Sequence, residues 1–355
     1  MIVAGIDIGS RGAKGVLMKD GEIISSQIGD TGPESVKTSY MTVDRLLAPT
    51  GYALKDVDYV VATGYGRVLV PFANENISEI SCHAKGVTFY FPTVRTILDM
   101  GGQDCKAINV GPDGAVTNFV MNDKCAGGTG RFLEMIADVL GVPLTEIGAL
   151  SLESKSQIPF NTICAVFAKS EAITSLRKGV AKSDILSGLH DAIAVRCLNL
   201  LKRVSIQPDF TITGGIAKNR GMVAKIKEKV GLEPKLAPDP QLIGALGAAL
   251  FAAERLKGGA GAKGMKVHYG YTDASGDYFL TVDGRVCDGC GKCVPACPAA
   301  VLEMGKTDHG VPQAMVKELV RKKLAVVCPG HKLCKSQREV TCETACPKQA
   351  ITHSW

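Results

Sequence analysis

The sequence predicts an α/β protein made of two related halves, followed by a separate cysteine-rich domain. Three observations predict this fold class. A strand-turn-strand pattern occurs twice in the first 121 residues, a glycine-rich stretch interrupts the chain after residue 256, and eight of the 13 cysteines lie between residues 287 and 346. With 355 residues and a hydrophobic content of 46%, the chain is long enough for two or three domains with well-packed cores.

The first copy of the pattern starts at the N-terminus. Residues 2–8 form an apolar run that predicts a strand, Gly9-Ser-Arg-Gly12 predicts a turn, and residues 13–18 predict a second strand. Asp20-Gly21 is a hairpin signal before a third strand. This turn contains neither a Walker A loop nor a G-x-G-x-x-G dinucleotide motif, so it belongs to neither of those phosphate-binding classes.

The second copy spans residues 95–121. Strands are predicted within 95–104, 106–110 and 115–121, and Asp99 takes the place that Asp7 has in the first copy, at the end of an apolar strand just before glycines. An internal duplication predicts two units that face each other across a cleft, each with a carboxylate and a turn of backbone N–H groups. Such turns bind anions, and a carboxylate beside them can hold hydrated Mg²⁺.

The chain downstream adds one more glycine turn and two helices. Residues 209–213 predict a strand that ends at Gly214-Gly215, where the missing side chains let a flat ring approach the backbone. Residues 184–204 predict a helix. A second helix, over 241–256, is rich in small residues and is expected to pack tightly.

Two cysteines precede predicted helices. Cys125 lies on a glycine-rich turn and Cys164 follows about forty residues later, each before apolar residues at helical spacing. A helix N-terminus favours a thiolate, and because a cubane cluster takes four thiolates, two copies of the chain on a two-fold axis would share one [4Fe–4S] cluster. The alternative is that both are buried free cysteines. The apolar residues of the two runs are Phe132, Leu133, Ile136, Ala137, Leu140 and Val166, Phe167, Ile173, Leu176.

The C-terminal domain carries the cysteine spacing of bacterial ferredoxins, C-x₂-C-x₂-C-x₃-C-P, and a second cysteine group in which a five-residue gap replaces the usual two. In two-cluster ferredoxins the fourth cysteine of each run serves the other cluster. The expected ligands are Cys287, Cys290, Cys293 and Cys346 for one cluster, and Cys297, Cys328, Cys334 and Cys342 for a second, less regular one.

Composition excludes several classes of protein. No apolar run reaches about 18 residues, so no membrane span is expected. The first twenty residues have no secretory layout, which predicts a cytoplasmic location, where 13 cysteines indicate metal rather than disulfides. With aromatic residues at only 5%, no nucleic-acid-binding module is indicated.

Together these stretches resemble the activase family of 2-hydroxyacyl-CoA dehydratases and benzoyl-CoA reductases, which belongs to the acetate kinase/sugar kinase/Hsp70/actin superfamily. The chain departs from the family at Arg11-Gly12, where small or hydroxyl residues are usual, at Lys169, where the family often has an acid, and in its ferredoxin-like domain, which simple members lack. The matching motifs are GIDIGS (5–10), ATGYGR (62–67), EISCHA (79–84), DMGGQD (99–104), NDKCAGGTGRFL (122–133), CAVFAKSE (164–171), TGGIAKN (213–219) and GALGAAL (244–250).

The resemblance implies a duplicated ribonuclease-H-like ATPase of the actin/Hsp70 type. The expected organisation is lobe I over 1–92, lobe II over 93–256 with its last helix packing back on lobe I, a linker over 257–266, and an α+β ferredoxin-like domain over 267–355. It also implies a homodimer that binds ATP or ADP with Mg²⁺ and shares one [4Fe–4S] cluster through Cys125 and Cys164, with one or two further clusters in the C-terminal domain.

The resemblance further implies that ATP hydrolysis drives a low-potential electron to an iron–sulfur partner: a 2-hydroxyacyl-CoA dehydratase, a benzoyl-CoA reductase component or a double-cubane-cluster protein. Independently of the resemblance, the C-terminal domain is proposed as the electron inlet, and the external donor stays open among a flavodoxin, another ferredoxin and an enzyme. Two alternatives stay open: a small-molecule kinase on the same fold with an accessory redox domain, and a redox-sensing module without turnover.

Site roles follow from the same resemblance. Asp7 and Asp99 are expected to hold Mg²⁺ through water, and Gln103 to orient the attacking water, with a core or turn-stabilising role for Gln103 as the alternative. Tyr65 and the Cys82-His83 pair are interpreted as structural. The residues expected at the phosphates are Gly9, Ser10, Gly101 and Gly102, with Lys14 as a charge partner, and those expected at the adenosine end are Gly214, Gly215 and Asn219. Arg11, Gly12 and Gln241 are also expected to bind the nucleotide.

Overall fold

The computed structural model describes residues 1–122, 129–156, 158–160, 165–257, 266–273, 276–284, 286–306, 312–321 and 323–354. They divide into two compact units, Met1–Glu254 and Arg255–Trp355. No helix within these described ranges is long and apolar enough to cross a membrane.

The first sheet of the N-terminal unit contains β1 (Ile2–Ile8), β2 (Gly12–Lys19), β3 (Glu22–Asp30), β4 (Tyr59–Thr63) and β5 (Glu75–Asn76). Its strand order is β3-β2-β1-β4-β5. The central strand β1 is antiparallel to β2 and parallel to β4. All of β1 after Ile2 is buried, as the apolar run predicts.

The second sheet repeats the arrangement of the first. It contains β6 (Thr96–Met100), β7 (Cys105–Val110), β8 (Val116–Asn122) and β9 (Phe210–Thr213), in the order β8-β7-β6-β9. Here β6 is antiparallel to β7 and parallel to β9, which is the relation of β1 to β2 and β4. The duplication expected from the sequence is therefore present in the strand pairing.

Helices of the N-terminal unit are α1 (Ser35–Leu47), α2 (Glu79–Tyr90), α3 (Gly130–Leu140), α4 (Ile147–Leu152), α5 (Ala165–Arg177), α6 (Lys182–Val204), α7 (Arg220–Val230) and α8 (Ile243–Lys257). Two of them begin at side-chain caps. The Ser78 hydroxyl accepts from the Ser81 N–H at the start of α2, and the Asn219 amide oxygen accepts from the Met222 N–H at the start of α7. These contacts satisfy N–H groups that a helix leaves unpaired.

The small residues of α8 allow direct backbone contact with β1 and α2. A Cβ atom added to Gly5 would lie 2.0 Å from the Ala245 carbonyl oxygen, and one added to Gly247 would lie 1.8 Å from that of Cys82. Only glycine fits at both points, so α8 lies closer to its neighbours than longer side chains permit.

The two helices that follow the candidate cluster cysteines differ in their packing. In α3 the buried residues are the five that the helical pattern selects: Phe132, Leu133, Ile136, Ala137 and Leu140. In α5 the buried residues include Ala168 and Ala172, whereas the side chain of Phe167 is 71% exposed. The pattern therefore identifies the core face of α3 but not that of α5.

The C-terminal unit contains β10 (Lys266–Asp273), β11 (Gly276–Asp283), β12 (Leu302–Lys306), β13 (Pro312–Val316) and β14 (Ile351–Ser354), in sheets ordered β10-β11-β14 and β12-β13. Its short helices are α9 (Cys293–Ala296), α10 (Glu318–Arg321), α11 (Leu324–Val327) and α12 (Gly330–Gln337). Cysteines form part of its core, where Cys293, Cys297, Cys328 and Cys342 pack with Leu280, Val301, Val316 and Ile351.

Candidate functional site

A cleft of about 860 Å³ in the N-terminal unit collects the predicted nucleotide residues from both sheets. Gln103 is the exception, since it is exposed in the turn after β6 and is not among the residues that line the cleft. Its role in orienting water stays a prediction. The predicted residues that do line the cleft are Asp7, Gly9, Ser10, Arg11, Gly12, Lys14, Asp99, Gly101, Gly102, Gly214, Gly215, Asn219 and Gln241.

Each half of the cleft presents the same three residue types at the same strand positions. In the first sheet Asp7 pairs across the strands with Lys14 on one side and Thr63 on the other. In the second sheet Asp99 pairs with Lys106 and Thr213. The cleft is thus lined by two carboxylate–lysine pairs, and a buried threonine lies beside the carboxylate in each half.

A glycine in the left-handed region follows the threonine in each half. Gly64 has φ +85° and Gly214 has φ +87°. A Cβ atom at Gly64 would lie 2.4 Å from Oδ1 of Asp7, and one at Gly214 would lie 2.3 Å from the Met100 carbonyl oxygen. These glycines bring backbone against the two aspartates, which a side chain would prevent.

In the first half of the cleft, the Asp7 carboxylate forms an ion pair with Lys14. Lys14 Nζ donates to Asp7 Oδ2 at 3.0 Å, and both side chains are largely buried. The role of Lys14 as a charge partner of the phosphates stays a prediction.

The second half holds more carboxylates around Lys106, whose side chain is 3% exposed. Lys106 Nζ lies 2.5 Å from Asp104 Oδ2, 3.5 Å from Asp99 Oδ2 and 4.0 Å from Glu79 Oε1. Burial opposes its charge, but Asp99 and Asp104 outweigh burial and raise the pKa of Lys106. The Tyr65 hydroxyl donates to Asp104 at 2.9 Å, so Tyr65 is part of this network.

His83 of α2 reaches the second aspartate. Its Nδ1 lies 2.9 Å from Thr213 Oγ1 and 3.4 Å from Asp99 Oδ1, and Thr213 Oγ1 donates to Asp99 Oδ1 at 3.0 Å. Burial opposes ionisation of Asp99, but His83, Lys106 and Thr213 outweigh it and lower the pKa of this carboxyl. Asp99 is therefore held as a carboxylate, the form that binds hydrated Mg²⁺.

Asn219 is fixed by a buried histidine as well as by its role as a helix cap. Its Nδ2 lies 3.1 Å from His190 Nε2. Burial, followed by the nearby Lys225, lowers the pKa of His190 to about 4. The imidazole is thus neutral near pH 7, and Nε2 can accept the Asn219 N–H.

The second glycine turn is bonded directly to the start of α3. The N–H groups of Gly130 and Arg131 donate to the carbonyl oxygens of Gly101 and Gly102 at 3.0 and 2.9 Å. Arg11, from the first glycine turn, donates through Nε to Glu134 of α3 at 2.9 Å, and this hydrogen bond raises the pKa of Arg11. The glycine turn that contains Arg11 and the turn that contains Gly101 and Gly102 therefore both contact α3, the helix that follows Cys125 in the sequence.

Cys125 and Cys164 lie outside the described residues. The described chain resumes at Thr129, just before α3, and at Ala165, where α5 begins. The proposal that these two cysteines ligate a shared cluster thus stays a prediction.

In the C-terminal unit the thiols interact in the two groups expected from the sequence. Burial raises the pKa of Cys293 to about 11, with smaller contributions from Cys346, Cys287 and Cys290. A hydrogen bond with Cys342 lowers the pKa of Cys297 to about 5. Burial raises the pKa of Cys328 to about 11, and Cys297 and Cys334 add to this shift. Each group offers four thiols, the number that a cubane cluster requires.

Sequence reasoning missed Lys106 and the Thr63-Gly64 pair and assigned His83 and Tyr65 to structure alone. A signal for two of these was available. Lys106 follows Asp99 by the same seven residues that separate Lys14 from Asp7, and Thr63-Gly64 repeats Thr213-Gly214 at a strand end. The positions of His83 and Tyr65 depend on packing between distant segments, which no local pattern reports.

Comparison with known families matches residues 4–252 to the BadF/BadG/BcrA/BcrD ATPase family. One curated relative, the 2-hydroxyisocaproyl-CoA dehydratase activator of Clostridioides difficile, is 42% identical over 263 residues, and the match covers 72% of this chain and 97% of that protein. The match to both family and relative covers most of the N-terminal unit.

Two solved structures are similar to this chain. Component A of the (R)-2-hydroxyglutaryl-CoA dehydratase from Acidaminococcus fermentans is 40% identical with a TM-score of 0.70, covering 72% of this chain and 99% of that one. The activator of the 2-hydroxyisocaproyl-CoA dehydratase from Clostridium difficile, with bound ADPNP, is 41% identical with a TM-score of 0.69, covering 73% and 97%. These similarities confirm the predicted actin/Hsp70-type ATPase fold with its mixed α/β sheets.

Proposed function

The chain belongs to the BadF/BadG/BcrA/BcrD ATPase family, and we propose that it uses ATP hydrolysis to deliver low-potential electrons to an iron–sulfur partner enzyme. Family membership and the dehydratase activator among its relatives identify the chain as an ATP-hydrolysing enzyme. The electron acceptor is proposed to be a 2-hydroxyacyl-CoA dehydratase, a benzoyl-CoA reductase-like enzyme or a double-cubane-cluster protein.

The observation that carries the proposal is the hydrogen bonding between the nucleotide turns and α3. A γ-phosphate bound at Gly101 and Gly102 would shift the backbone of these two residues. Their carbonyl oxygens accept hydrogen bonds from the N–H groups of Gly130 and Arg131 at the start of α3. The Arg11–Glu134 pair adds a second link from the other half of the cleft. A change of the bound nucleotide would therefore shift the position of α3, and with it that of Cys125, which precedes this helix in the sequence.

The cleft fits a magnesium–nucleotide complex. Asp7 and Asp99 face it as buried carboxylates, and Lys14 and Lys106 supply positive charge beside the glycine turns. Phosphoryl transfer is accelerated by alignment and charge neutralisation of the phosphate chain, which Mg²⁺ supplies when bound. These residues would hold the ion through water, and Gly214, Gly215 and Gln241 line the part of the cleft left for the nucleoside.

A cluster shared by two copies of the chain requires a homodimer in which α3 and α5 of both copies meet. The exposed Phe167 lies near the start of α5, on a helix that such a dimer would bring to the interface. Two thiols from each copy, Cys125 and Cys164, would then complete the four ligands that a [4Fe–4S] cluster takes.

We propose that the C-terminal unit passes electrons to the shared cluster. The unit contains two sets of four cysteines, and four is the number of ligands that a [4Fe–4S] cluster takes. The first set is Cys287, Cys290, Cys293 and Cys346, and the second is Cys297, Cys328, Cys334 and Cys342. Such clusters supply one-electron carriers at low potential. Covalent attachment raises the effective concentration of donor at acceptor and removes one bimolecular step.

The test measures ATP hydrolysis and electron delivery in one anaerobic preparation of the full chain. The probe acceptor is the 2-hydroxyisocaproyl-CoA dehydratase of C. difficile, whose activator is 42% identical to this chain. We expect dehydratase activation that requires both ATP and a reductant, and Asp99→Ala is expected to lose hydrolysis and activation together while keeping its iron.

The matched control is Asp113→Ala, which removes an exposed carboxylate from the hairpin of the same repeat. It should behave as the wild-type chain does. Hydrolysis that continues unchanged in Asp99→Ala would contradict the assignment of the cleft, and activation without ATP would contradict the coupling.

A further inference from the structure

Three potential metal ligands outside the proposed clusters converge in the C-terminal unit. His353 Nδ1 lies 3.0 Å from Glu343 Oε2, and His331 Nδ1 lies 3.2 Å from the same oxygen. One ligand atom from each residue lies within 4.8 Å of the other two. Separations of this size are those of neighbouring ligands around one ion with bond lengths of about 2.0–2.2 Å.

The three residues come from separate segments, so their convergence is not a by-product of sequence proximity. His331 lies in the first turn of α12, Glu343 lies in the loop that follows, and His353 lies in β14 near the end of the chain. The two imidazole rings are stacked with centroids 6.2 Å apart and an angle of 26° between their planes. The His353 side chain is only 3% exposed.

The hydrogen bonds around this cluster leave one of its nitrogen atoms unsatisfied. His331 Nδ1 is shielded from solvent and has no hydrogen-bond partner among the residues that the structure describes, although the Glu343 carboxylate oxygen lies close to it. The approach of the two atoms is therefore close but not aligned for a hydrogen bond. A third atom on which both converge would account for this geometry.

The two ring nitrogens of His353 face different groups. His353 Nε2 lies 3.9 Å from Cys342 Sγ. His353 Nδ1 makes a hydrogen bond with Glu343 Oε2 at 3.0 Å, so it faces the same carboxylate oxygen that His331 Nδ1 approaches. A divalent ion bound here would take the place of the proton that this hydrogen bond holds.

We propose that His331, Glu343 and His353 bind one divalent transition-metal ion of the Zn²⁺ class, separate from the iron–sulfur clusters. Two imidazoles and one carboxylate are a common ligand set for such ions, with a fourth position left for water. The Nε2 contact of His353 is the outer hydrogen bond that a ligating histidine normally makes. Because His353 lies in β14 and His331 in α12, the ion would link these two elements and stabilise the region around Cys334 and Cys342.

The test measures zinc, iron and sulfide per chain in the anaerobically prepared full-length protein, titrated with Zn²⁺ after its clusters are complete. We expect one zinc per chain in addition to the full iron content. His331→Gln and Glu343→Gln should each weaken zinc binding at least about 10-fold while iron and sulfide stay unchanged. Lys332→Gln, which changes an exposed neighbour of His331, should bind zinc as the wild-type chain does.

Glu343→Gln keeps the size of the side chain and one acceptor oxygen and removes the charge, so it tests the site even if a histidine variant folds poorly. Zinc that binds equally to wild type and Glu343→Gln, or that appears only as iron is lost, would overturn the proposal, because the ion would then occupy cysteine sites. Absence of zinc binding at full iron content would also overturn it and would leave a proton between His353 and Glu343. Missing iron in the C-terminal unit would instead contradict the cluster assignment.

Discussion

Replacement of Lys106 by methionine tests the electrostatic account of the second half of the cleft. The ammonium group lies within 4.0 Å of three carboxylates, those of Asp104, Asp99 and Glu79. Methionine keeps most of the length and apolar bulk of the side chain and removes only the charge and the donors. The variant therefore leaves a cluster of buried carboxylates without their common partner.

The expected loss of unfolding free energy is about 3–5 kcal/mol, which is typical when one partner of a buried ion pair is removed. Lys85→Met is the matched control, because Lys85 pairs with Glu254 at the surface, where such pairs contribute about 0–1 kcal/mol. Removing Asp104 as well, in Lys106→Met/Asp104→Asn, should recover part of the loss because it relieves repulsion among the remaining carboxylates.

Urea unfolding of the nucleotide-free protein, followed by circular dichroism, measures these differences. Asp99 and Asp104 outweigh burial and raise the pKa of Lys106 above 10.5, so its stabilising contribution is complete below that pH and is lost only as the pH rises through the folded-state pKa. The difference from wild type should therefore be the same at about pH 6 and pH 8. A loss in Lys106→Met no larger than in Lys85→Met would refute the reasoning.

Two further predictions concern the cluster and its link to the cleft. Wild-type chains that end at residue 257 should hold roughly 4 iron atoms per dimer, and full-length wild type should hold about 20. Cys125→Ala in the shorter chain should lose all of this iron and still bind ATP. Iron analysis and a nucleotide-binding assay measure the two properties, and retained iron in Cys125→Ala would contradict the ligand assignment. Glu134→Gln should hydrolyse ATP within a few-fold of wild type but activate the dehydratase less per ATP consumed, because the ion pair with Arg11 is lost. An unchanged ratio would exclude this ion pair from the coupling. Glu22→Gln, at an exposed position of β3, is the control.

Much of the fold was open to prediction because its signals are local. The apolar strands, the glycine turns and the repeat of Asp7 at Asp99 lie within short windows, and the strand pairing of both sheets follows them. The buried face of α3 was also readable from helical spacing, since this helix packs against a single core.

The remainder depends on contacts between segments far apart in sequence. His83 meets Asp99 and Thr213 only because α2 packs beside the second sheet. For Phe167 the local pattern itself predicted the wrong environment. An apolar side chain at helical spacing predicts burial, but Ala168 and Ala172 are the buried residues of α5 and Phe167 is exposed. The assignment of the C-terminal cysteines to two clusters, which rests on the ferredoxin spacing rule, stays a prediction.

The central claim is that nucleotide in the cleft controls the cluster held by Cys125 and Cys164. The most direct measurement follows the loss of iron from the chain ending at residue 257 to a coloured iron(II) chelator, under anaerobic conditions, with MgADP and then with MgATP. The account predicts that MgATP changes the rate at which the cluster yields its iron, and that Asp99→Ala, with the same iron content, shows no such change. Equal rates with both nucleotides in the wild-type chain would contradict the claim.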